Sequence, residues 1–183
     1  MRGPNVYGTI HLNGHPQRIE KFEGRGYVSS TNAPAALELS TPTGYSFTNS
    51  VVFTDHAGVR MVGGGEVVLT GESSSDGSVA VENGVMKLDG TWLNASDVSV
   101  SGAGVLKIVG PSGQAFGRDV TLRLSGTGGI EIPAGKILRV GEFYLNGSDE
   151  PLKPGLYGSA RTGGRVRGGS VQVGVVGTML IFR

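Results

Sequence analysis

The feature that most narrows what this chain can fold into is a short apolar alternation, closed each time by Gly or Asn-Gly, that returns along most of its length. It is read in TIHLNG, EVVLTG, SVAVENG, VMKLDG, DVSVSG, VLKIVG, DVTLRLSG, GIEIPAG, KILRVG and EFYLNG. A period of two marks a half-buried strand, and Gly or Asn ends it by tolerating left-handed backbone. No 3.6-residue apolar period builds up, because Gly, Ser, Thr and Val interrupt every window. Only Ala33 to Leu39 could hold a turn of helix. The expected fold class is therefore all-β.

A longer period selects among all-β folds. The segments starting at Ser78, Asp97 and Asp119 share one plan of strand, Gly-containing corner, strand and Gly. Their spacing of about twenty residues suits one coil of a solenoid. In that register Val79, Val81, Met86 and Leu88 point inward, then Val98, Val100, Leu106 and Ile108, then Val120, Leu122, Ile130 and Ile132. Lys87, Lys107 and Glu131 should lie one above another outside, with Lys107 facing Glu131. Asp97 and Asp119 should stack at strand starts, where they either cap turns or share a calcium ion.

One β-solenoid domain is expected over residues 1–183. Residues 1–75 form less regular coils, with Ile10, Leu12, Ile19, Phe22, Leu37, Leu39, Phe47, Val51, Phe53, Met61, Val67 and Leu69 inward. Residues 76–147 form the regular coils. Residues 148–183 hold a loop excursion and terminal strands VQVGVV and TMLIFR, which suggest a covered or paired end. The absence of Cys excludes a disulfide scaffold and any thiolate metal site. A net charge of +1 gives no basic stripe for nucleic acid. No apolar run approaches the ~20 residues that span a bilayer. Met1 is followed by Arg-Gly-Pro-Asn without a signal-peptide core, so an exported protein is expected to carry this chain as an internal piece.

The runs LNGHPQRIEKFEGRGYVSS, ALELSTPTGYSFTNSVVF and VRMVGGGEVVLTGESSSDGSVAVENGVMKLDG resemble the autotransporter-associated β-strand repeat of large bacterial surface proteins. Leu12 to Gly14, Gly24 to Gly26, Tyr45 to Phe47, Gly63 to Gly71 and Val79 to Leu88 occupy the places of that repeat's plan. The segment AGKILRVGEFYLNGSDEPLKPGLYG is similar to the ends of such passenger regions. Phe22 stands where leucine is commoner, and Glu72 to Gly77 replace the usual Asn-Thr-Tyr-Thr-Gly run. The resemblance implies a right-handed parallel β-helix exposed on, or released from, a bacterial cell and attached to adjoining domains of a longer polypeptide. It supplies no catalytic motif.

Chemistry-bearing residues are sparse. His11 and His15 are separated by a strand end and a turn, which removes the geometric basis for metal ligation, and a surface role is expected. Asp55 and His56 are adjacent strand residues that point apart, and no Ser sits in a nucleophile elbow. The Gly-rich runs 63–65 and 163–169 open no helix and read as corners and a loop. For a β-helical polysaccharide lyase or hydrolase the candidate carboxylates are Asp76, Glu82, Asp89 and Glu142, with Arg118, Arg123 or Arg139 as anion partners, but no spacing pairs them. No catalytic residue, metal or cofactor is assigned.

Ligand contact is expected instead from Trp92 and Tyr144. Tyr144 alternates with inward Phe143 and Leu145 and should face out. Trp92, at a corner in LDGTWLNAS, is either an exposed ring for a sugar face or the cover of a core column. Arg161, Arg165 and Arg167 form a local basic cluster that either touches acidic glycans or is a solvated flexible loop. The expectation is a non-catalytic module of an extracellular or bacterial cell-surface protein, serving as spacer, display or adhesion platform, with a polysaccharide or cell-surface glycan as partner. A carbohydrate-binding module is the alternative and a lyase or hydrolase the third reading.

Overall fold

The computed structural model describes residues 5–6, 8–110 and 112–174. The chain forms β1 (Asn5–Val6), β2 (Thr9–His11), β3 (Gln17–Ile19), β4 (Glu23–Leu39), β5 (Ser46–Met61), β6 (Glu66–Leu69), β7 (Val79–Val81) and β8 (Val85–Leu88). It continues with β9 (Asp97–Val100), β10 (Val105–Ile108), β11 (Thr121–Leu124), β12 (Gly129–Val140), β13 (Glu142–Leu145), β14 (Gly155–Tyr157) and β15 (Val166–Val173). All-β is correct. Ala33 to Leu39 belong to β4 rather than to a helical turn, and the one helical element described is a 3-10 turn at Ser159–Arg161.

Every described strand pairing is parallel except that of β14 with β15. Strands that are neighbours in space are a coil apart in sequence, which makes a β-solenoid of about 6 turns. One stack of strands runs from the start of β5 through β6, β8, β10 and the start of β12 to the start of β15. Another runs from β3 through the ends of β4 and β5 to β7, β9, β11 and β13. Between them, β2, the start of β4 and the middle of β5 form a third stack that resumes at the ends of β12 and β15. In the intervening coils this stack shrinks to single bridges, Ser73 to Trp92 and Trp92 to Phe116.

The alternation places one apolar residue of each coil over the same position of the next. Val67, Met86, Leu106, Ile130 and Val166 form one such column. Leu37, Val59, Val79, Val98, Leu122 and Phe143 form another, and all these side chains are buried. Full burial stabilises by about 1.5–3 kcal/mol per large aliphatic side chain, so the columns outweigh what a single coil could supply. Tyr157, on the antiparallel β14, packs edge-on against Phe143 at 5.8 Å and covers the end of the second column. The expected strand TMLIFR, and Val175 and Val176 of VQVGVV, lie outside the described residues.

The outer face confirms part of the expected register and corrects part. Lys87, Lys107, Glu131 and Arg167 stand in one column, with Lys107 Nζ 2.8 Å from Glu131 Oε2. Asp97, however, pairs with Thr121, and Val98 with Leu122, so Asp119 and Val120 sit two residues before the positions expected for them. A two-residue slip leaves inside and outside unchanged, so alternation alone does not detect it. Val120 is still buried, but Asp97 and Asp119 do not stack as neighbours. Asp97 instead accepts a hydrogen bond from Arg123 Nε at 3.1 Å, and no cluster of three metal-ligating side chains exists among the described residues.

Ladders of this kind are worth little individually because both partners are about a third exposed. A double-mutant cycle on Lys107→Ala and Glu131→Ala should return a coupling of about 0.2–1 kcal/mol that shrinks with added salt. Zero coupling at low salt would show that the pair does not act across coils.

Candidate functional site

The residues singled out in the sequence do not converge. Of the two readings of Trp92, the exposed ring for a sugar face is overturned and the cover of the core is borne out: it is fully buried, stacked on Phe53 at 4.7 Å, and its Nε1 donates to the Ser75 carbonyl at 2.8 Å. The corner therefore turns the indole into the core, where its N–H still finds an acceptor. Tyr144 does face outward, but the Arg123 guanidinium lies 4.0 Å from its ring centroid. Its hydroxyl donates to Glu142 Oε2 at 2.9 Å, and that contact pushes the phenol above its ordinary range.

The arginine cluster is tied down rather than loose. Arg161 lies over the Tyr157 ring at 5.0 Å and donates to the Leu156 carbonyl at 2.9 Å. Arg167 donates to the Gly164 carbonyl at 2.9 Å and approaches Glu131 at 3.5 Å. Arg165 is half-buried, and one of its guanidinium nitrogens has no hydrogen-bond partner among the described residues. With Arg161 and Arg167 held by separate local partners, the three arginines do not make one anion-binding fork.

The candidate carboxylates are likewise dispersed: Asp76 and Glu82 lie in separate ion pairs, Glu142 accepts from Tyr144, and Asp89 is exposed and outside every ion pair among the described residues. Asp76 meets His56 Nδ1 at 2.7 Å, and Glu82 accepts from Arg60 Nε at 2.7 Å. Arg60 also reaches Glu38 at 2.7 Å, and this double pairing raises its pKa. Asp55 has a left-handed φ of 56°, so regular strand alternation does not describe it and His56, and the Ser29 hydroxyl at 2.6 Å holds its carboxyl below the usual range. On the first stack, Lys87 at 2.8 Å does the same for Glu66, against partial desolvation. His11 precedes and His15 closes a turn through Asn13 and Gly14, both with positive φ, which keeps the two histidines apart in backbone terms.

What the sequence reading did not assemble is a groove beside the β12–β13 corner. Arg118, Asp119, Arg139, Val140, Gly141, Gln172 and Gly174 line a cavity of about 510 Å³. A second depression of about 350 Å³ shares Arg118 and Asp119 and extends past Ser96, Asn94 and the exposed Leu93. Arg139 and Gln172 are register partners on adjacent coils, so both point out of the stack into the same space. Arg118, Asp119 and Arg139 are all exposed and form no ion pair among the described residues.

Gln114 fixes the width of this groove. Its Oε1 accepts from the Arg139 backbone N–H at 2.9 Å and its Nε2 donates to the Arg139 carbonyl at 3.2 Å. The same amide also donates to the Phe116 carbonyl, two residues before Arg118. The loop bearing one arginine is thereby pinned to the strand bearing the other. The sequence offers Arg118 and Arg139 as anion partners but nothing that brings them together, and Gln114 carries no signal because a lone Gln in a loop has no periodic or motif signature. The groove offers two unpaired cations, one unpaired carboxylate and the Gln172 amide, all on a rigid scaffold. No family model, curated protein or solved structure matches this chain.

Proposed function

We propose that the chain is a non-catalytic β-solenoid module of a bacterial secreted or cell-surface protein, holding other domains or surfaces apart as a spacer or display platform. The observation that carries this reading is the unbroken core running along the solenoid axis together with ion pairs that cross from coil to coil. Lys87 with Glu66, Lys107 with Glu131, Arg60 with Glu38 and Glu82, and Arg123 with Asp97 all join successive coils. Such a body resists bending because two continuous parallel ladders, one on each side of the shared core, join every coil to the next. Placement outside the cell rests on the resemblance to the autotransporter-associated repeat. The non-catalytic reading rests on the dispersal of the candidate carboxylates, of which Asp76 and Glu82 are held in separate ion pairs.

A rod of about six coils should separate attached domains by roughly 25–30 Å along its axis, at about 4.8 Å per coil. With fluorophore-bearing domains fused to both ends, energy transfer should report one narrow distance that does not change with salt. A broad, salt-dependent distribution would identify a flexible linker and overturn the spacer reading. Turnover of a polysaccharide into unsaturated sugar ends would overturn its non-catalytic part. The carbohydrate-binding reading is favoured by one observation, the groove at Arg118 and Arg139.

A further inference from the structure

We infer that this groove is a binding site for a carboxylated oligosaccharide of the uronic-acid class, with Arg118 and Arg139 each receiving a ligand carboxylate. The inference deepens the carbohydrate-binding reading and does not depend on the spacer role. Two unpaired guanidiniums carried on backbone segments that Gln114 ties together are the first element. Most arginines described above are spent on protein partners, whereas these two project free into a shared cavity whose width Gln114 sets. A guanidinium presents a planar fork that matches a carboxylate, and prior ordering of its backbone removes part of the cost of binding.

The second element decides between anions. Asp119, next to Arg118 in the chain, lines the same groove as both arginines, and its carboxylate forms no ion pair among the described residues. A carboxylate there repels a compact polyanion but accepts hydrogen bonds from hydroxyl groups. Gln172, nine-tenths buried in the groove wall beside Arg139, adds an amide that both donates and accepts. A ligand satisfying the whole set carries carboxylates and hydroxyls on one frame, which describes a uronic-acid sugar better than a phosphate or sulfate ion. Leu93, 56% exposed, lines the second depression and supplies an apolar surface for a pyranose face. The combined volume lies in the range of small-ligand sites and accommodates more than one sugar ring.

Titration calorimetry of the whole chain with a galacturonate hexamer, its methyl ester and tripolyphosphate tests the assignment. The hexamer should bind with an affinity that falls as salt rises, and esterification should weaken it by about tenfold or more. Arg118→Ala and Arg139→Ala should each weaken binding by about tenfold while leaving the melting temperature in place, since both side chains are exposed and unpaired. Arg167→Ala, in the outer column with Glu131 and outside the groove lining, should bind like the parent. The inference is overturned if millimolar hexamer gives no binding, if the ester binds equally well, if tripolyphosphate competes as an equal, or if Arg167→Ala is the variant that loses affinity. None of these outcomes alters the distance measured across the rod, so the two readings fail separately.

Discussion

Replacing Gly128 with alanine is expected to destabilise the protein by on the order of 3–5 kcal/mol, a large effect for one methyl group. Gly128 closes the turn from β11 into β12, and this turn lies directly on the equivalent turn of the preceding coil. The Thr127 and Gly128 amides both donate to the Gly102 carbonyl, at 2.7 and 3.0 Å, and the Gly129 amide donates to the Gly104 carbonyl at 3.0 Å. A Cβ built on Gly128 would fall on the Gly104 carbonyl oxygen, far inside contact distance. The obstacle is backbone, so no rotamer change relieves it: either the coils separate or these hydrogen bonds break. Gly147 provides the contrast. Its φ of 73° is left-handed, yet nothing lies within 4 Å of a Cβ added there. Gly147→Asn should therefore cost less than about 1 kcal/mol, because Asn tolerates that backbone region. Urea denaturation of both variants checks the difference, and hydrogen exchange should show the Thr127 and Gly129 amides opening first in Gly128→Ala. Equal losses at the two positions would mean that conformation, not coil-on-coil contact, selects glycine at these turns.

The same turns explain which parts of the fold were legible in the sequence. Alternation specifies which face is buried, so Val79, Val98, Met86 and Leu106 could be assigned inward from the residues alone, and their columns are as expected. Vertical register is specified only by turn length, because a slip of two residues preserves every face. The loop before β11 is longer than its predecessors and carries its own packing residues, Ala115 and Phe116, which shift Leu122 rather than Val120 onto Val98. The middle stack was least legible, since in its central coils it has no strand to alternate. Its order comes from Ser73 and Ser75, whose hydroxyls bond backbone groups of β5 and its flanks. The Phe53 amide donates to Ser73 Oγ at 3.1 Å, while Ser75 Oγ donates to the Asp55 and Ala57 carbonyls at 2.8 and 2.7 Å. In sequence these serines read as a polar loop. The groove was hidden for a related reason: Arg118, Arg139 and Gln172 come from three successive passes of the chain, and only the register brings them together.

Trp92→Ala should lower stability by about 3–5 kcal/mol, the other large single-residue effect, because Trp92 takes the place of a strand in this middle stack. Its backbone makes only isolated bridges, to Ser73 on one side and Phe116 on the other. Between those bridges the space that a strand pair would fill is occupied by the indole, at 0% exposure and stacked on Phe53 with 28° between the ring planes. Truncation opens a cavity and also leaves the Ser75 carbonyl without its indole donor, adding about 1 kcal/mol or more if water does not enter. Trp92→Phe should recover much of the packing but not that hydrogen bond, and so fall between alanine and the parent. As the protein's single tryptophan, the residue reports on itself. Its emission should be blue-shifted and resistant to acrylamide quenching in the folded state, and should remain unchanged when a galacturonate hexamer binds at the Arg118 groove. Red-shifted, readily quenched emission, or a negligible loss of stability in Trp92→Ala, would place the indole on the surface and remove the aromatic packing that joins the two strand-built ends of the middle stack.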